Sequence, residues 1–374
     1  KGRPSRLQAY CSDRSRRLLG ARFISGDDAG DQRVAHHVFL EKFGKGQAAH
    51  ALQDVARFAQ AAAEEWVAIP AEDLLVMTLA PDADGKPRTV VIQLMPAPFS
   101  QGWVHNIRLF ARAKWYDGIS VNRVQDNYVT QWGDPNYDNP EATGTPKPLP
   151  EGLRVMGEDE YVVQATEEML EQHLNSLVGQ IRIASRDIRA ATAVEEGSES
   201  VEDRGDWRYS DPYSLSVGHQ KGWPYATDVN TIWPTHCYGM VGVGRNYSPD
   251  TGSGAELYTV IGHAPRHLDR NIALVGRVIE GMEHLSSLPR GSGALGFYTA
   301  EEAAKRTPIL SVRVASDLPA SEQPAFEYLS TESDTFATYA EAIANRRDPF
   351  FITPAGGADI CNIRVPVRRV AEGG

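Results

Sequence analysis

The chain has 374 residues, with 38 Lys and Arg against 49 Asp and Glu, for a formal net charge of −11. At 41% hydrophobic and 23% charged the composition is that of a folded protein of one large or two ordinary domains, which excludes a disordered or fibrous chain. The acidic balance argues against a nucleic-acid backbone or an anionic membrane surface as the main partner and suits a neutral or basic polypeptide, while no apolar run reaches the roughly 18 to 20 residues of a membrane helix.

The first 45 residues, with SDRSRRLLG and SGDDAGDQR, lack sustained periodicity and read as an irregular arm. From Gly46 to Trp66 an Ala-rich run places Leu52, Val55, Ala56 and Ala59 at helical spacing, which predicts an amphipathic helix. DLLVMTLA and RTVVIQLM then flank PDADGKP, whose Asp-Gly and prolines are turn chemistry, so a β-hairpin is expected. SQGWVHNIRLFARA, with Val104, Ile107, Leu109 and Phe110, reads as a helix; GISVNRV and NYVTQWG return to strand character. Hairpin, helix and further strands without βαβ repeats indicate a closed antiparallel sheet capped by a helix.

Residues 134–156 have the Pro, Gly and Asn content of a surface loop. Leu170, Leu174, Leu177, Val178, Ile181, Ala184 and Ile188 then make an apolar stripe, predicting a long helix over 161–191 that ends in an acidic linker. That helix either packs on its own domain or serves as a chaperone arm. A Trp-, Tyr- and Pro-rich stretch leads to three strand candidates in HCYGMVGVGR, AELYTVIG and IALVGRVIEGMEHL, the last running into a short helix. The tail holds another strand, ILSVRVA, a helix around Phe336 to Arg346, and a Pro/Gly-rich end. Cys11, Cys237 and Cys361 have no CxxC spacing and stand as three unpaired thiols or as one disulfide with a spare thiol.

VNRVQDNYVTQWGDP and GSGAELYTVIGHAPRHLDRNIALVGRVIEGM resemble the cyclophilins, the family of peptidyl-prolyl cis/trans isomerases. The likeness extends over roughly residues 72–140 and 232–290, with Asn106 at the family's helix position. The Trp-rich approach to THCYGM and the long flanks resemble the large bacterial cyclophilin-like proteins called AquaCyps. It implies an eight-stranded antiparallel β-barrel with capping helices over 71–298, interrupted by a helical and acidic insertion at about 140–231. An N-terminal arm with a helix would occupy 1–70, and a C-terminal extension packed on the barrel 299–374. The implied activity is isomerisation of Xaa-Pro bonds in unfolded or flexible polypeptides, assisting folding. A catalytically weak proline-peptide binding, scaffold or chaperone module is the alternative.

Rotation about an Xaa-Pro bond is slowed by amide resonance and needs neither proton transfer nor a covalent intermediate, so one oriented donor suffices. The resemblance places Arg123 in that role and Gln131 as the group that holds a substrate backbone in register. Tyr128, Val129, Tyr258 and Leu268 would form the prolyl pocket, and GMVGVG, with Met240, Val241 and Gly242, would line the peptide groove. Four positions depart from the family: Glu256 for the usual Gln, His267 for Trp, Ile272 for a groove His, and Gly242 for Asn. These changes weaken peptide positioning, allow Glu256 to tether Arg123, and put cyclosporin binding in doubt.

No cofactor is implied. His263, His267 and Asp269 approach metal-ligand spacing, but Pro265 breaks the helix such a site would need. GVGRNYSPDTGSG lacks P-loop and dinucleotide signatures and reads as a loop bordering the groove. His36, His37, His173 and His284 carry no role, and no Ser/His/Asp or Cys/His grouping follows from spacing. Proline-containing polypeptides are the expected partners, with no nucleic acid and no membrane insertion; the oligomeric state is left open. The start at Lys1 and the bacterial resemblance suggest an exported protein of the periplasm or envelope, with the cytoplasm as alternative. Exported, Cys237 and Cys361 would pair and pin the C-terminal segment.

Overall fold

A computed structural model describes residues 61–137, 139–165, 207–209, 211–228, 230–346, 351–353 and 355–370. The N-terminal arm, most of the helix read over 46–66 and the 161–191 segment beyond residue 165 lie outside these residues, as does Cys11. Where the two expected helices enter the described residues, they give way to other structure. Residues Ala63–Glu65 form a 3-10 turn followed by strand β1 (Trp66–Ala68), and 161–165 contains the end of a second such turn and a short strand. At both places pairing with a distant strand overrides local helix propensity.

The expected hairpin forms from β2 (Leu74–Leu79) and β3 (Arg88–Leu94), paired from Leu74 opposite Gln93 to Leu79 opposite Arg88. Asp82 sets its turn, its Oδ1 accepting from the backbone N–H of Asp84 and Lys86 at 2.9 and 2.8 Å. Helix α1 (Gln101–Arg112) buries Trp103, Val104, Ile107 and Phe110 and leaves Leu109 only partly covered. On its other side Arg108 pairs with Asp73, and Arg112 with Glu72 and Asp317. Strands β4 (Ser120–Val124) and β5 (Val129–Gly133) follow as expected.

The helix and acidic linker expected in the insertion lie outside the described residues beyond residue 165. The part described is β: β6 (Val163–Gln164), β7 (Ser216–Gln220), β8 (Trp223–Thr227) and β9 (Thr231–Pro234) make a four-stranded antiparallel sheet in the order β6-β9-β8-β7. Lys221 and Gly222 turn β7 into β8 with φ of 48° and 80°, the left-handed pair that a two-residue hairpin demands. A side chain at 222 would also strike the Tyr328 ring.

Strands β10 (Met240–Val243), β11 (Leu257–Val260) and β12 (Leu274–Glu280) return to the barrel, and α2 (Glu283–Ser286) follows. The eighth barrel strand, β13 (Ile309–Val314), lies past residue 298, where the barrel was expected to end. The eight run β13-β2-β3-β12-β10-β11-β5-β4, all antiparallel. Backbone bonds Gly118 N–H to Ile309 O at 2.9 Å, Ile309 N–H to Ile119 O at 2.8 Å and Val121 N–H to Thr307 O at 2.9 Å bring the two edges together into a nearly closed barrel. Its core sets Met77, Ile92, Val241 and Val275 against Trp103, Ile107 and Phe110 of α1.

The tail adds β14 (Phe326–Leu329), α3 (Asp334–Ala344) and β15 (Val367–Arg369), with β14 paired between β1 and β15. A second core joins this unit to the inserted sheet through Trp66, Trp233, Leu329, Phe336 and Ile360. Cys237 and Cys361 are joined by a disulfide, which ties the approach to β10 to the C-terminal segment. Among the described residues no helix is long and apolar enough to cross a membrane.

Candidate active site

Strand register builds the site. Arg123 on β4 stands opposite Gln131 on β5, Gln131 opposite Tyr258 on β11, and Tyr258 opposite Gly242 on β10. These four positions form one row across four neighbouring strands. Because side chains alternate along a strand, Val129 shares the face of Gln131 and Glu256 that of Tyr258, while Trp132 and Leu257 turn inward to the core.

The row opens on a cavity of about 520 Å³ with Arg123, Gln131 and Glu256 as polar lining. Tyr128, Val129, Tyr258, Leu268 and Ile272 supply its apolar wall and pack together with Val260, apart from Leu268, as one small cluster. Four predicted groove residues are placed elsewhere. Met240 and Val241 are buried in the barrel core, and Gly242 lies beneath the Tyr258 hydroxyl. His267 is exposed because the 3-10 turn Arg266–Leu268 turns its neighbour Leu268 to the cavity instead. Asp269, near His263 and His267 in sequence, is buried and taken by His236 and Arg266.

Arg123 is held from three sides. Its Nε–H donates to Leu295 O at 2.6 Å, Nη1–H to Gln131 Oε1 at 3.0 Å, and Nη2–H to Gln125 Oε1. The guanidinium carbon lies 5.6 Å from the Tyr128 ring centre and 5.5 Å from that of Phe297. Burial lowers its proton affinity from the ordinary value, partly offset by Tyr128 and Tyr258, and a guanidinium still stays charged at neutral pH. Gln131 is the link to Glu256: its Oε1 accepts from Arg123 while its Nε2–H donates to Glu256 Oε2 at 3.2 Å.

Sequence reasoning missed Leu295 and Phe297, which enter the cavity from the connection between α2 and β13. No local pattern marks them; Gly296, Leu295 and the adjoining glycines read only as a loop. It did place the Gly-rich loop at the groove, and Arg245, Asn246 and Tyr247 line the rim. That loop is fastened to α1: Asn106 Nδ2–H donates to Ser253 O at 3.0 Å and to Arg154 O at 2.9 Å, and Trp103 Nε1–H to Gly252 O at 3.0 Å.

The sequence model of the family described as cyclophilin type peptidyl-prolyl cis-trans isomerase/CLD matches residues 89–314. No curated protein matches the chain. Among solved structures, the cyclophilin AquaCyp293 from Hirschia baltica is 18% identical with a TM-score of 0.52, covering 82% of this chain and 95% of its own. A cyclophilin type peptidyl-prolyl cis-trans isomerase from Cryptosporidium parvum is 10% identical with a TM-score of 0.31, covering 64% of this chain and 97% of its own. The chain belongs to the cyclophilin-type peptidyl-prolyl cis-trans isomerase family. It is thus an isomerase of prolyl peptide bonds, carried on the nearly closed eight-stranded barrel described above.

Proposed function

We propose that the cavity beside Arg123 is the isomerase site, that Arg123 is its electrophilic donor, and that Gln131 positions both Arg123 and the substrate. The substrate is an Xaa-Pro segment of an unfolded or flexible polypeptide lying across the barrel face, its prolyl ring among Tyr128, Val129, Tyr258, Leu268 and Ile272. The observation that carries the reading is a guanidinium fixed in a cavity of about 520 Å³ with an aromatic and aliphatic wall, room enough for a proline and the residues beside it.

As the amide twists, conjugation is lost and the nitrogen lone pair localises. A donor aimed at that nitrogen then binds the twisted state better than either planar isomer, which lowers the barrier with no bond made or broken. Of the five N–H donors of a guanidinium, Arg123 commits one from each nitrogen to Leu295, Gln131 and Gln125, which leaves one on each terminal nitrogen for the substrate. Family membership favours this over a bare binding module. The Cys237–Cys361 disulfide supports residence in an oxidising compartment, the periplasm or envelope, where assisting the folding of exported chains is the matching role.

The test is NMR exchange between cis and trans forms of a short Xaa-Pro peptide with catalytic amounts of the protein or of Arg123→Ala. Loss of one preorganised transition-state donor typically lowers a rate about 10²- to 10³-fold, and that loss is expected with peptide binding retained. An Arg123→Ala variant as active as the parent protein would place the chemistry elsewhere.

A further inference from the structure

Behind the aromatic wall of the cavity runs a chain of buried polar side chains that isomerisation by Arg123 does not itself require. His236, fully buried between β9 and β10, has both its backbone N–H and its Nδ1 on Asp269 Oδ1, at 2.9 and 2.8 Å, and its Nε2 3.0 Å from the Tyr258 hydroxyl. Asp269 Oδ2 accepts from Arg266 Nε at 2.6 Å. Arg266 in turn grips Asp211 with both terminal nitrogens, at 2.9 and 3.0 Å. Arg266 is 2% and Asp269 6% exposed, so these contacts are sheltered from solvent, where charge-assisted hydrogen bonds are strong and a missing partner is costly.

The roles follow from the atoms. A carboxylate only accepts, so Nδ1–H donates to Asp269, while Nε2 shares a hydrogen bond with the Tyr258 O–H. Burial raises the Tyr258 phenol well above its ordinary value, which keeps that proton in place. The hydroxyl fits only because residue 242 has no side chain: a Cβ there would overlap Oη and Cζ and stand 2.8 Å from Cε1. An apolar ring alone would serve as a pocket wall. Here the wall carries a hydroxyl, with a glycine opposite to admit it and four further side chains in series to hold it.

We propose that His236 and Asp269, braced by Arg266 and Asp211, are positioning residues that fix the Tyr258 ring as the back wall of the prolyl pocket. Through Asp211, which precedes β7, they couple the isomerase site to the inserted sheet. This rests on the reading of the cavity as the active site. The ring meets the proline in its ground and transition states alike, so loosening it raises KM more than it lowers kcat.

The test compares His236→Ala and the nearly isosteric Asp269→Asn with the parent protein and with Arg123→Ala, using peptide titrations and NMR exchange on samples whose thermal melts establish folding. Each of the first two is expected to lower kcat/KM about tenfold, chiefly through KM, by loss of a buried anchor. In a Tyr258→Phe background, where the hydroxyl is already gone, His236→Ala should cause no further loss, whereas a purely structural role would lower both backgrounds alike. An unchanged kcat/KM in Asp269→Asn, or equal losses from His236→Ala in both backgrounds, overturns the proposal. If Arg123→Ala is inactive while these variants are unaffected, this inference alone fails; if Arg123→Ala is fully active, the reading of the cavity fails with it.

Discussion

Replacing Gly242 by Asn is expected to impair this enzyme. Any Cβ at 242 enters the space of the Tyr258 hydroxyl and stands 2.8 Å from Cε1, where carbon contacts are ordinarily about 3.5 to 4 Å, so the ring must retreat by about 1 Å. The ring has nowhere to go at low cost. Tyr258 is 5% exposed, and its hydroxyl lies 3.0 Å from His236 Nε2, so retreat breaks the hydrogen bond. Overpacking costs about 1–3 kcal/mol, and a buried partner left unmatched costs about 1–3 kcal/mol more. Part of this falls on the stability of the barrel and part on the pocket, so Gly242→Asn should melt lower and lose about tenfold or more in kcat/KM. Adding Tyr258→Phe removes the most crowded atom and should recover part of the melting temperature. NMR exchange and a thermal melt on the three proteins decide the matter. A Gly242→Asn variant with the parent's melting temperature and undiminished kcat/KM would refute the packing argument.

Two further outcomes are expected. The Cys237–Cys361 disulfide spans 124 residues of chain, and on the chain-entropy account closing such a loop stabilises by up to about 5 kcal/mol. Paired Cys237→Ser and Cys361→Ser changes, or reduction, should therefore shift the urea midpoint strongly downward, and a loss under about 1 kcal/mol would contradict that account. His219, its ring against Phe336 and its Nε2 3.0 Å from Ile363 O, is pushed by burial from 6.5 down to about 4. Between those values the unfolded chain binds the proton and the folded one does not. Stability is therefore present above about pH 6.5 and is lost as pH falls towards 4, by at most about 3 kcal/mol. Urea titrations at several pH values should find this loss absent from His219→Gln; the same pH slope in both proteins would show that the imidazole is not responsible.

The barrel was legible because its signals are local. Short β-prone apolar runs mark β2 and β3, Asp-Gly marks their turn, and residues two apart, Val129 with Gln131 and Glu256 with Tyr258, share a strand face whatever the rest of the chain does. The inserted sheet was not, because proline and tryptophan mask the alternation in β8 and β9, and only pairing with β6 and β7 makes them strands. The end of the barrel was misplaced for a related reason: β13 finds its partner β2 at the far end of the domain, and no local pattern announces it. Most of the cavity could be named from the family resemblance, yet Leu295 and Phe297 could not, nor could His236 behind its wall. His236 meets Asp269, and Asp269 meets Asp211 through Arg266, residues from separate stretches of sequence that only the fold brings together.

The pairing of β2 with β13 also bears on how the chain must be made. Leu75 lies opposite Val314, so nearly the whole barrel domain must be synthesised before the sheet can close. Until then β2 presents an unpaired edge, an invitation to intermolecular strand addition, and contacts so distant in sequence form slowly. A prolyl isomerase is thus, by its own topology, dependent on the last strand of its barrel to cover the edge left by the first.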